Sequence, residues 1–387
     1  MDHEEDRNLN LFAPGPVNLS QAAWEGLTTP TIHHRSKAFE DFYGSFILSL
    51  REAFMTSGEV AVLTTSGTGG MEAAVASLIG PSQKVVIPVF GKFSERWVEI
   101  CKVYGIETVV VEFEPGRSPE PDDIIPRLEE KHVTAVLLTH CETSTGALTD
   151  LRSISEAIDE WSRLHGREVL IVADCISTLC VDELRMEEWH IDCCIAASQK
   201  GLLAPPGLAF VAINDRCLEV LKHNKRKTYY LDLLKYVENT PVYPFTPSVH
   251  VMRAADASLK RLLATGLDAV WEYYRHAAGA IRMLLSESGF EPVATRQASA
   301  AVAFWAGDVD PQVLAAKLER TSGIFIAQGQ ADLKSRLFRI SPIGKTRSHL
   351  DHLAQALVEV LPTFGRSINK RAIERFKQTI GEVKVQW

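Results

Sequence analysis

Ile191-Asp192-Cys193-Cys194-Ile195-Ala196-Ala197-Ser198-Gln199-Lys200-Gly201 is the stretch from which the rest of the chain is read. The apolar run 191–197 has the length of a buried strand, and Ala204-Pro205-Pro206-Gly207 stiffens the loop that follows it. Lys200 therefore stands at the mouth of a strand, flanked by small residues and short of like charge. On an open surface such a lysine is a solvated cation. At a strand mouth it loses water, and desolvation pushes its amine toward the neutral form that attacks a carbonyl.

Working outward, short apolar runs alternate with amphipathic segments. Runs at 60–65, 84–88, 108–113, 133–139, 168–173, 191–197 and 208–213 read as strands. Segments at 37–55, 71–79, 94–104, 122–131 and 151–165 carry helical spacing. The alternation predicts an α/β fold: a mostly parallel seven-stranded sheet, covered on both faces, with ligands beyond the carboxyl ends of its strands. After a tyrosine- and proline-rich passage at 224–248, helices at 249–264 and 267–288 precede a second alternation. That alternation has strands at 300–304 and 337–340 and helices at 311–322 and 348–361. The expected organisation is an N-terminal arm (1–19), a large domain (20–255) and a smaller C-terminal α/β domain (256–387), with the tail from Lys370 either a mixed-charge helix or disordered.

The chain has 387 residues, 46% hydrophobic and 23% charged, with a formal net charge of −8. That is the composition of an ordinary globular protein without the basic face that nucleic acid requires. The acidic stretch from Met1 to Asn10 lacks the apolar core of a secretory signal, no run is long enough to span a membrane, and the last five residues are not a peroxisomal address. The expectation is a cytoplasmic protein that binds neither nucleic acid nor membrane. Its seven cysteines lack zinc-ligand spacing and read as buried, reduced thiols.

Chemistry-bearing residues collect where the strands end. Thr65-Ser66-Gly67-Thr68-Gly69-Gly70 lies between a strand and a helix, where glycine amides, hydroxyls and the helix dipole cradle a phosphate; a plain turn is the alternative. Asp174 ends a very apolar strand, suiting it to a protonated ring nitrogen or to capping a helix. Thr143 lies in the hydroxyl-rich segment 139–146, where His140 and Glu142 read as a core histidine and a loop carboxylate or as catalysts. Phe93 at a helix start could stack on a flat cofactor or join the core. Arg339, inside an apolar strand, suits a substrate carboxylate or an internal salt bridge. A lysine, an acid and a phosphate nest are what pyridoxal phosphate needs from a protein.

In this order along the chain, Ala13-Pro14-Gly15-Pro16, Ser66-Gly67-Thr68-Gly69, His140 to Gly146, Ala173-Asp174, Ser198-Gln199-Lys200, Ala204 to Gly207 and Phe338-Arg339-Ile340 resemble the class V branch of fold-type I pyridoxal-phosphate enzymes. The likeness runs from about Leu11 to Leu361 and is strongest to the alanine/serine–glyoxylate aminotransferases. It implies a ping-pong transaminase in which Lys200 carries pyridoxal 5'-phosphate as a Schiff base and moves the proton, while Asp174 pairs with the ring nitrogen. Phe93 and Ile176 would cover the ring, Thr143 would touch its hydroxyl, and Arg339 with Gly15 would bind substrate. Thr68, Gly69, Gly70 and Gln199 would hold the phosphate, joined by Tyr243 and Thr246 from the partner in a homodimer with shared active sites.

The implied substrates are a small amino acid, such as alanine or serine, and a 2-oxo acid, such as glyoxylate or pyruvate. Gly70 and Phe93 stand where many such enzymes carry histidine and tryptophan. The basic loop His33-His34-Arg35 leaves open a 2-aminoethylphosphonate transaminase, or is a solvated turn. A lyase of the cysteine desulfurase kind usually has histidine before the lysine and over the ring, where Gln199 and Phe93 stand here. A non-catalytic scaffold would leave Lys200, Asp174 and Arg339 together unexplained.

Overall fold

Valine, isoleucine and alanine fill the strands of the main sheet because both of its faces are buried. The computed structural model describes residues 9–224 and 228–381; most of the acidic N-terminal stretch and the last six residues lie outside them. All seven expected strands join one sheet, in the order Glu59–Leu63, Ala209–Ile213, Cys193–Ala197, Leu170–Asp174, Val133–Thr139, Lys84–Val89 and Glu107–Glu112. From Cys193–Ala197 to the Glu107–Glu112 edge the pairing is parallel. Ala209–Ile213 runs antiparallel to both of its neighbours. The loop that carries Lys200 is the reason: it links Ala197 to Ala209 directly, without the helical crossover that a parallel return requires.

The helices follow their caps. Leu151–His165 and Pro311–Ser322 begin at aspartate caps, Asp150 and Asp310, and end at the left-handed glycines Gly166 and Gly323. The helix expected at 122–131 is instead a short turn of helix, Pro121–Ile124, and a 3-10 segment, Ile125–Glu129, because Pro126 has no N–H to continue an α-helix. The tail is helical over Lys370–Ile380.

A second, antiparallel sheet has the order Glu291–Pro292, Val302–Trp305, Leu337–Ile340 and Ala327–Gln328, with Leu267–Glu287 and Pro311–Ser322 against it and Arg347–Val360 packed on Pro311–Ser322. The boundary expected near residue 255 falls inside the continuous helix Val249–Thr265. The N-terminal arm is tied down: Asn10–Leu11 pairs with Ile324–Phe325, and Ser341 N donates to Phe12 O. This anchoring delivers Pro14-Gly15-Pro16 to the carboxyl end of the main sheet. Among the described residues no helix is long and apolar enough to cross a membrane, and the seven cysteines are buried with no disulfide between them.

Candidate active site

Lys200 is held by a knotted loop. Ser198 Oγ donates to Pro205 O at 2.6 Å, Ala204 N donates to Ser198 O, and Leu203 N donates to Lys200 O. The lysine is 9% exposed, and Nζ donates to Pro14 O at 2.5 Å. Burial lowers its pKa to about 8. Gly15, at φ +129°, presses on this side chain so closely that a Cβ there would lie 2.5 Å from Nζ. Only glycine fits both the backbone angle and the contact.

Asp174 ends the strand Leu170–Asp174 at 6% exposure. Among the described residues its carboxylate accepts one hydrogen bond, from Ile176 N at 2.9 Å. Burial raises its pKa to about 6, against the pull of that amide and of Arg96. The capping alternative is met only by the single amide, since turns rather than a helix follow.

The glycine-rich segment enters its helix earlier than expected. Ser66 is the N-cap and the helix runs Gly67–Leu78, so the first-turn amides of Gly67 and Thr68 have no intrahelical acceptor, while Gly69 N leans on Ser66 Oγ. Gly70 N already donates to Ser66 O, and a Cβ on Gly70 would meet Ile195 and Ala209 of the sheet. This corrects the expectation that Gly70 holds the phosphate: it packs the helix on the sheet, and the available amides lie one turn earlier.

Phe93 is positioned by Glu142, whose buried carboxylate accepts from Phe93 N, Ser94 N, Ser94 Oγ, Ser144 N and Ser144 Oγ at 2.6–3.2 Å. Glu142 thus caps the helix Lys92–Val103 from a distant segment. His140 is a core histidine. Its Nδ1 meets Thr178 Oγ1 at 2.9 Å, its ring stands edge-on to Trp189, and burial lowers its pKa to about 3.

Arg339 makes no internal salt bridge among the described residues. Nε and Nη2 donate to Gln328 O at 2.9 and 2.6 Å, and Nη1 donates to Thr143 O at 2.8 Å. Its charge is buried against neutral carbonyls, which lowers its pKa to about 10, and one N–H on each terminal nitrogen stays uncommitted. Thr143 enters through its carbonyl, as the residue that orients Arg339.

A cavity of about 240 Å³ brings together Gly15, Thr68, Phe93, Asp174, Ile176, Gln199 and Lys200. Larger cavities of about 350 and 390 Å³ open elsewhere, but none is lined by Lys200 or Asp174, so chemistry rather than volume singles out the site. Among the described residues Gln199 Oε1 is buried with no partner, leaving that oxygen free for a ligand. The donor set fits pyridoxal phosphate: an amine held toward neutrality, a carboxylate short of partners, helix-start amides, and Phe93 and Ile176 as apolar lining.

Thr246 is exposed and away from the cavity of its own chain. Tyr243 is 1% exposed, packs edge-on to Tyr43 and donates to Val62 O at 2.8 Å. Within its own chain the side chain is buried in the core. One lining residue had escaped notice, Arg96. The signal for Arg96 was its place one helical turn after Phe93.

The family model for class-V aminotransferases matches residues 20–341. A protein of Synechococcus sp. named as the small subunit of a soluble hydrogenase is 33% identical over 86% of this chain and 88% of its own length. A serine–glyoxylate aminotransferase of Hyphomicrobium methylovorum is 31% identical over 73% of this chain and 71% of its own. Among solved structures, a Thermus thermophilus aspartate aminotransferase of subgroup IV superposes with a TM-score of 0.85 and 35% identity, covering 91% of this chain and 99% of that one.

Proposed function

The chain belongs to the class-V aminotransferase family, and from that premise we propose that it moves an amino group from a small amino acid, alanine, serine or a close relative, to glyoxylate or pyruvate. It is a pyridoxal-phosphate-dependent aminotransferase of fold-type I. Bound pyridoxal phosphate supplies the carbonyl that takes the amino group and a ring that withdraws electrons from the substrate Cα.

The protein's part is to hold and move protons and to orient the reactants. Lys200 Nζ, lowered toward 8, carries the cofactor and then shuttles the proton at Cα. Asp174 holds a proton on the ring nitrogen. The amides of Gly67 and Thr68, with Gly69 and Gln199, take the phosphate, and Thr246 of a second copy reaches it in a homodimer. Phe93 and Ile176 cover the ring, Gly15 lets the arm close over Lys200, and Arg339 offers its two free N–H groups to the substrate carboxylate. The observation that carries this reading is a lysine lowered and an aspartate raised by burial on one cavity, each left with one hydrogen-bond partner.

The arm 1–19, a large unit 20–255 and a small unit 256–387 are proposed as the working parts. A cytoplasmic location belongs to the same reading, supported by buried cysteines that form no disulfide among the described residues. The phosphonate alternative is weakened because Arg35 Nη1 donates to Tyr243 O at 2.7 Å and Nη2 to Pro244 O, so that guanidinium braces a loop. Phe93 and Gln199 oppose the lyase alternative.

The test is incubation of the loaded protein with L-alanine or L-serine, then with glyoxylate. Conversion of the cofactor to its amine form, with pyruvate or hydroxypyruvate released and no free ammonia, is expected. Ammonia or sulfide in stoichiometric yield would establish a lyase instead. Screening aspartate and 2-aminoethylphosphonate beside them fixes the donor.

A further inference from the structure

One guanidinium on the cavity has no role in the reaction as described. Arg96 lies on the helix Lys92–Val103, one turn beyond Phe93. Its Cζ sits 5.0 Å from the centre of the Phe93 ring, and Nη1 donates to Thr68 Oγ1 at 3.3 Å. Among the described residues it forms no ion pair with a carboxylate. Asp174 and Lys200 both feel its charge.

A phosphate monoester brings close to two negative charges into the cavity. Against them the helix start at Gly67 sets two amides and a dipole worth about half a charge. Lys200 and Arg96 are the two cationic side chains that line the cavity, and Lys200 is engaged at the carbonyl end of the cofactor. A dianion taken out of water requires a formal opposite charge nearby. Arg96 is already bonded to a residue of the helix start where the phosphate would rest.

We infer that Arg96 is the charged ligand of the cofactor phosphate, sharing it with the amides of Gly67 and Thr68 while the flat of its guanidinium steadies the Phe93 ring. This rests on the reading of the cavity as the pyridoxal-phosphate site. It assigns the charge match for the phosphate to one residue of this chain rather than to the glycine-rich turn.

The experiment titrates apo-protein, full chain, with pyridoxal phosphate and separately with pyridoxal, followed by absorbance and by quenching of tryptophan fluorescence. For Arg96→Gln the Kd of pyridoxal phosphate should rise about 10- to 100-fold, with that of pyridoxal changed less than about twofold. Arg96→Lys should recover part of the loss, and the salt dependence of binding should be shallower in Arg96→Gln than in the wild type. Equal losses for both ligands would show that Arg96 only props Phe93 and Thr68, and would overturn the inference. Unchanged cofactor affinity with a raised substrate KM would overturn it in favour of a substrate-binding role. Wild-type protein that binds neither ligand would overturn the cofactor reading itself, and this inference with it.

Discussion

The two ends of the main sheet each bury an aspartate, and they treat it differently. At the amino end, Asp192 is fully buried and accepts from Ile171 N and from Asn214 Nδ2, both at 2.7 Å, with Arg216 Nε 3.4 Å away. At the carboxyl end, Asp174 is also buried, at 6% exposure, but among the described residues its carboxylate receives a single amide. Burial raises the pKa of both. The difference lies in who supplies the partners: the protein completes the shell of Asp192, whereas Asp174 keeps a lone pair facing a cavity. Lys200 and Arg339, near that same end, likewise meet only neutral carbonyls. A buried charge with a complete shell is structural; one left short of partners is kept for a ligand.

Substitutions at the two ends should therefore separate activity from stability. The largest effect is expected for Lys200→Ala, which should cut turnover by at least about 10³-fold while the fold persists. Borohydride trapping followed by peptide mapping checks the assignment, and a labelled peptide lacking Lys200 would sink it. Arg339→Ala should raise KM for the amino acid by roughly 10²- to 4 × 10³-fold, from about 3–5 kcal/mol of lost pairing. An unchanged KM would remove Arg339 from the site.

At the amino end, Asp192→Ala should cost about 2–3 kcal/mol in denaturant unfolding, because two donors lose their acceptor, yet leave the cofactor Kd of the folded fraction unaltered. A large change in Kd would break the contrast between the ends.

The smallest effect is one of pH. Asp174 titrates near 6 in the native apo-protein and near the ordinary carboxylate value when unfolded, so the native state binds its proton more tightly. That stabilisation is full below about pH 4 and is lost as pH rises through about 6. Apo wild type should accordingly lose about 1 kcal/mol relative to Asp174→Asn between pH 5 and 7, and added pyridoxal phosphate should abolish the difference. A parallel pH course for the two apo-proteins would mean that Asp174 is partnered after all.

Much of this was legible before any coordinates. The seven strands were marked by short apolar runs, and the helices read at 151–165 and 311–322 from their spacing have those bounds in the structure. Lys200, Asp174, Phe93, Thr68 and Gln199, read one by one as strand-end or helix-start residues, line a single cavity. What the sequence left open shares a cause. Gly70 was read as part of a phosphate loop because glycine is silent about which side of a helix it occupies, and its contact with Ile195 and Ala209 is a fact of packing. Tyr243 looked available because its hydroxyl's acceptor, Val62 O, lies 181 residues away. Glu142 was ambiguous for the same reason: it caps a helix 48 residues earlier in the chain.

The sequence by itself determined the order of strands and helices, the charges that end those strands and the small residues around them, since periodicity and capping act over a few neighbouring positions. The tertiary structure alone decided that the arm delivers Pro14 and Gly15 onto Lys200, that Glu142 aims Phe93, that Arg339 keeps two N–H groups free and that Asp174 goes short of partners where Asp192 does not. Those outcomes depend on hydrogen bonds and close contacts between segments far apart in the chain, which local propensity does not encode. They separate a buried charge that stabilises the fold from one reserved for chemistry.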